Sequence, residues 1–198
     1  MNDVHEKPAY LGLLNAISLG ESAAGIYLEA WADATGDEEL ADVLRFVAAR
    51  ETSHGDVFRR RLCELGYELR PKSDPEAQSR LARYANPKVP DLEKVGPERD
   101  ERDPFVEIRT AMADGAYDPL TCNLMQWYIA EEEDSGRRLR AAYGKVRARA
   151  AGGRKGKAAV APASDAGPSA DAQAIMACMT AGFARLEKSI DKALRAHA

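Results

Sequence analysis

The chain has 198 residues, of which 45% are hydrophobic, and a formal charge of −4. That is enough apolar material for one packed domain with an appendage, and the acidic balance gives no reason to expect nucleic-acid binding by the chain as a whole. Three widely spaced cysteines (Cys63, Cys122 and Cys178) form no CxxC pair, which argues against a zinc knuckle or a disulfide framework and for buried free thiols. The N-terminus, MNDVHEKPAYLGLL, does not read as a signal peptide, and no apolar stretch reads as long enough to span a bilayer. A cytoplasmic protein with no membrane contact is the expectation.

Residues 9–66 predict two helices. In the first, Leu14, Ile17, Glu21, Ala24, Leu28 and Trp31 recur at steps of three and four, which puts them on one face. Gly36 stops it and Asp37 is placed to cap the next helix. There Leu40, Leu44, Val47, Glu51, His54 and Phe58 share a face, and Gly66 ends it. A short turn between two amphipathic helices predicts an antiparallel hairpin.

Residues 67–103 hold five prolines and many charges. They read as a crossover between two hairpins, with a short helix near 75–85. Asp103-Pro104 and Asp118-Pro119 each read as an N-cap followed by the first helical residue. The helix between them, ending at Gly115, presents Phe105, Ile108 and Met112. The last helix of the second hairpin has the seam Met125, Tyr128, Glu132, Ser135, Leu139 and Ala142. Residues 147–170, basic and then rich in Ala, Pro, Gly and Ser, read as a flexible linker. In 171–196, Met176, Met179, Phe183, Leu186, Ile190 and Ala193 form a coiled-coil-like stripe. The division expected is therefore a helical domain over 1–146, a linker over 147–170 and an amphipathic helix over 171–198. That last helix would dock on the chain's own helices or carry contacts to a second copy or a protein partner.

Glu21, Glu51 and Glu132 stand in the middle of apolar stripes on three different helices. Buried carboxylates that converge repel one another unless a cation lies between them. His54, one turn after Glu51, points an imidazole nitrogen at the same place. Glu21 and Glu51 both lie about 15 residues from the turn that joins their helices, so at ~1.5 Å per residue they stand at equal height. Tyr128, one turn before Glu132, is placed to hydrogen-bond a ligand carboxylate. The rest of the acidic run, Glu131, Glu133 and Asp134, reads as a solvated flank.

The stretch ARETSHG (49–55) matches AEEEDSG (130–136) at Ala, Glu51 with Glu132, and Gly, but His54 falls on Ser135. With Glu21 placed as above, residues 9–145 resemble the ferritin-like superfamily, and within it the small rubrerythrin-like proteins. The resemblance implies an all-α antiparallel four-helix bundle of two hairpins with a long crossover. It also implies two irons held by a Glu from each of two helices and E-x-x-H from each of the other two, and oxidation of iron, reduction of oxygen or peroxide, or hydroxylation. The sequence departs from that pattern twice. Ser135 replaces the second histidine, and the third helix offers no well-placed acid. Glu107 points to solvent, Asp103 is taken as a cap, and Glu101 has the right phase only if the helix begins earlier. The metal ligands expected are thus Glu21, Glu51, His54 and Glu132, for one or two ions, iron first and zinc or manganese next. With no CxxC rubredoxin module, electrons would come from another protein or from iron itself. The competing reading is a non-catalytic helical scaffold.

Overall fold

The computed structural model describes residues 7–97 and 103–154. Among these, every regular element is a helix: α1 (Leu11–Ala34), α2 (Glu38–Glu64), α3 (Ala77–Tyr84), α4 (Asp91–Val95), α5 (Val106–Ala113) and α6 (Pro119–Arg154). The expectation of an all-α fold is met at that level. Glu101 and the 171–196 stripe lie outside the described residues.

The helix ends follow local chemistry. The Asp37 carboxylate accepts the Leu40 N–H at 3.3 Å and starts α2. Gly66 ends it with φ at 81°, a left-handed conformation that glycine adopts without strain. Asp118 Oδ1 accepts the Leu120 and Thr121 N–H groups at 3.0 and 3.1 Å and starts α6. The Asp103 carboxylate accepts the Phe105 N–H at 2.9 Å in the turn before α5 and lies 3.4 Å from Arg109 Nε; Asp103 is the expected helix cap, but the N-cap of α5 is Phe105.

α1 and α2 form a close-packed hairpin. α6 runs parallel to α1. At one end Tyr10 donates to Asp118 at 2.5 Å, and at the other the Trp31 and Tyr143 rings stack at 5.6 Å. The crossover climbs along α1. Tyr84 of α3 packs on Trp31, and Asp91 of α4 accepts from Trp31 Nε1 and Thr35 Oγ1, both at 2.7 Å. The short helix expected near 75–85 is α3, whereas α4 had no periodic pattern to announce it. α5 has only eight residues, about 12 Å of helix, because it begins at Val106, after the Pro104–Phe105 turn, and Gly115, at φ 70°, stops it.

The core is divided. One apolar cluster gathers Leu14, Ile17, Phe58, Leu62, Phe105, Ile108, Met125 and Tyr128. The other gathers Tyr27, Trp31, Leu40, Leu44, Tyr84, Ala142 and Val146. Glu21, Glu51 and Glu132 fall between the two sets on α1, α2 and α6, so a polar layer crosses the middle of the molecule.

Three expectations are corrected. α6 continues to Arg154, past residue 147 where a linker was expected. Val146 is buried, Arg147 reaches the Gly96 carbonyl at 3.2 Å, and Lys145 and Arg149 pair with Glu39 and Asp37, so this basic run has acidic partners. Cys63 is exposed rather than buried. And α1 is long and apolar enough, by length and composition, to cross a membrane. Its apolarity has a local cause in its position, since it lines both core clusters.

α1 and α2 touch through glycine at two points. A Cβ on Gly55 would lie 3.0 Å from Ser22 N and 3.1 Å from Ser18 O. One on Gly25 would lie 3.0 Å from Ala48 O and 3.2 Å from Thr52 N. Ser18 Oγ also donates to the Gly55 carbonyl at 2.8 Å. Gly55→Ala should therefore destabilise by about 1–3 kcal/mol through overpacking against main chain, although alanine is the better helix former by ~1 kcal/mol. Gly12→Ala, where a Cβ meets nothing within 4 Å, should be neutral or stabilising. Urea unfolding of both variants checks the contrast, and equal effects would remove the close-approach argument.

Candidate metal centre

Each of the three long helices contributes to the polar layer from its buried stripe. Glu21 comes from α1, Glu51 and His54 from α2, and Glu132 from α6, and all four are buried. Each offers one ligand atom, and these atoms lie within 4.8 Å of one another. Ligands at ~2.0–2.2 Å from one ion lie about 3.4 Å apart in tetrahedral and up to about 4.4 Å apart in octahedral geometry, so inward movement on the order of half an ångström would seat a common ion.

The hydrogen-bond accounting points the same way. Among the described residues, the buried side-chain atoms with no hydrogen-bond partner include Glu21 Oε2, Glu51 Oε2, His54 Nδ1 and Glu132 Oε1. The buried Arg80 guanidinium lies outside this group and is held by Asp74 and Glu76. Buried polar atoms are rarely left orphaned, and four that converge can be satisfied together by protons shared among them or by a common cation. His54 Nδ1 and Glu132 Oε1 are 3.2 Å apart, an ion pair when the ring is protonated and two candidate ligands of a common ion when it is not.

The groups behind the four fix their orientation. Tyr128 donates to Glu21 Oε1 at 2.7 Å, which leaves Oε2 facing the cluster. The expectation that Tyr128 holds a ligand carboxylate thus identifies Glu21, on α1, as its partner. His54 Nε2 lies 3.0 Å from Glu131 Oε2. A carboxylate only accepts, so Nε2 carries the proton, and in the neutral ring Nδ1 is a free lone pair. Sequence reasoning placed Glu131 on a solvated flank. The structure places it half-buried against His54, and no periodicity signals a contact that depends on how α2 and α6 cross. The His54 ring also meets the edges of Trp127 and Tyr128 at 5.0 and 5.1 Å.

Without a cation, Glu51 and Glu21 are pushed toward their protonated forms. The Glu51 carboxyl is pushed up to about 12, by burial first and then by the hydrogen bond and charge of Glu21 and the charge of Glu132. Burial likewise raises Glu21, with the hydrogen bond from Tyr128 acting against it. Burial lowers His54, but Glu132 and Glu131 outweigh it and the net shift is upward. The same cluster can be neutralised by protons or by a divalent cation. Three carboxylate oxygens and one imidazole nitrogen suit iron, manganese or zinc.

The remaining candidates stand apart. Asp103 is bonded to the Phe105 N–H, Glu107 is half-buried on α5 rather than turned to solvent as expected, and neither joins the four-residue cluster. Ser135 is buried at the position matching His54, but its Oγ faces Arg50 Nη1 at 3.4 Å. Comparison of the chain with protein-family models, with curated proteins and with solved structures found no match.

Proposed function

We propose that this protein is a ferritin-like, rubrerythrin-like four-helix protein, with α5 as the short third member, that binds iron through Glu21, Glu51, His54 and Glu132. The observation that carries this reading is the convergence of four buried, unpartnered ligand atoms from three helices. When bound, iron would supply the capacity to exchange electrons with oxygen or peroxide, or would itself be the ferrous substrate. The chain's own residues do the rest. Tyr128 orients Glu21, Glu131 holds His54 in the tautomer that frees Nδ1, and the apolar clusters on either side limit access of water to the layer.

The test is metal content. Protein loaded anaerobically with Fe(II), Mn(II) or Zn(II) and desalted should retain metal, and the iron form exposed to oxygen should gain near-ultraviolet absorption. Protein that retains none of the three would refute the reading. A second reading, a scaffold whose metal site is not catalytic, is favoured by one observation: among the described residues α5 brings no carboxylate to the cluster. Bound metal with no consumption of oxygen or peroxide would select it.

The same proposal assigns the 171–196 stripe to a helix of a second copy or of a protein partner. Because α6 is structured through Arg154, the informative deletion is 155–198. It should leave metal binding intact and change the sedimentation profile or the proteins captured. Ending the chain at Gly144 should instead destabilise, since it removes the buried Val146, about 1.5–3 kcal/mol of apolar burial, together with the Lys145 and Arg149 ion pairs.

A further inference from the structure

The internal repeat has a counterpart in space. Laying 49–55 on 130–136 equates Arg50 with Glu131 and His54 with Ser135. In the structure these positions face one another across α2 and α6 in the same crossed fashion. His54 Nε2 meets Glu131 Oε2 at 3.0 Å, and Arg50 Nη1 meets Ser135 Oγ at 3.4 Å. One crossed pair is an imidazole steadied by a carboxylate. The other is a hydroxyl approached by a guanidinium. The two pairs differ at both members, and position 50 carries the opposite charge to position 131.

The Arg50 guanidinium is fixed in place. Nη1 bonds Asp134 Oδ2 at 2.7 Å and approaches the Glu131 carbonyl at 3.5 Å, while Cζ stacks over the Phe46 ring at 4.4 Å. The contact to Ser135 is one turn from the ligand Glu132. A guanidinium keeps its charge at every accessible pH. Resting on the proposal that Glu21, Glu51, His54 and Glu132 bind metal, we infer that this centre takes a single divalent ion, and that the Arg50 guanidinium against Ser135 excludes a second. The half of the site around His54 has a nitrogen donor and a carboxylate behind it. The half around Ser135 has no nitrogen donor, and its carboxylate, Asp134, is taken up by Arg50, Arg137 and Arg138 rather than left to a cation.

Native mass spectrometry of the full chain with Mn(II) or Fe(II) under anaerobic conditions separates the outcomes. One ion per chain is expected. Two ions overturn the inference, while none overturns the metal reading on which it rests. Arg50→Glu combined with Ser135→His restores the crossed pair of the His54 half and should take up a second, weaker ion, whereas a folded variant still limited to one ion removes Arg50 as the cause. Arg50→Gln, which keeps a donor for Ser135 and loses the charge, gives a second measurement independent of that double variant. Its affinity for the first Mn(II) should rise threefold or more, and an unchanged affinity overturns the assignment to charge.

Discussion

Stripped of metal, the protein should lose about 4 kcal/mol of stability between pH 5 and pH 8. In the folded chain the Glu51 carboxyl titrates at about 12 against 4.5 when exposed, so between those values the folded state holds a proton that the unfolded state has released. Folded protein with the extra proton is favoured by acid. The contribution is fully present below the unfolded value and is lost as pH rises toward the folded one, at about 1.4 kcal/mol per pH unit for one proton. Glu21 and His54 are raised as well and act in the same sense. For a folded unit of this size the loss corresponds to a fall in Tm of roughly 10 °C. Melting curves in excess chelator at several pH values check it. Glu51→Gln should flatten the slope, and saturating metal at pH 8 should restore stability, because the ion replaces the protons. A metal-free protein that grows more stable from pH 5 to pH 8 would show that the carboxylates are not held as this layer requires.

The second large effect is on affinity. His54→Ala should weaken Mn(II) or Zn(II) binding by tenfold or more, since the only nitrogen in the donor set is lost. Glu131→Ala should weaken it by about 10–100-fold without touching the ion, because the Nε2–H would lose the acceptor that sets its tautomer and ring orientation. Glu133→Ala, two residues along the same acidic run but on the exposed side and paired with Arg109, should leave affinity unchanged. Competition with a chromogenic chelator measures all three. Equal losses at Glu131 and Glu133 would mean that the run acts through net charge rather than through the histidine.

The long helices and the convergence of Glu21, Glu51, His54 and Glu132 were legible because both depend on periodicity. Every residue of the α2 stripe from Leu40 to Phe58 is buried, Glu51 and His54 among them. An acid that sits where only leucine or valine should be is a signal that needs no alignment. What escaped depends on the angle between helices. Glu131 is one residue, or about 100°, from the seam, and whether that phase meets solvent or His54 is decided by the placement of α2, on which the α6 sequence carries no information. The end of α6 escaped for another reason. Gly152-Gly153 and an uninterrupted run of positive charge read as a break, but the charges of Lys145 and Arg149 are matched by Glu39 and Asp37 at the start of α2, more than a hundred residues away.

The contact of α1 with α2 through Gly25 and Gly55 has a consequence for ionic radius. Those glycines bracket the level of Glu21 and Glu51, so the gap between the two carboxylates is set by main chain against main chain, which yields far less than a flexible side chain. A calcium ion asks for six to eight oxygens at ~2.3–2.6 Å and a site that can spread to supply them. Walls that cannot part favour the smaller transition-metal ions with ligands at ~2.0–2.2 Å. Under the proposed metal reading, discrimination by size would rest on two residues that have no side chain.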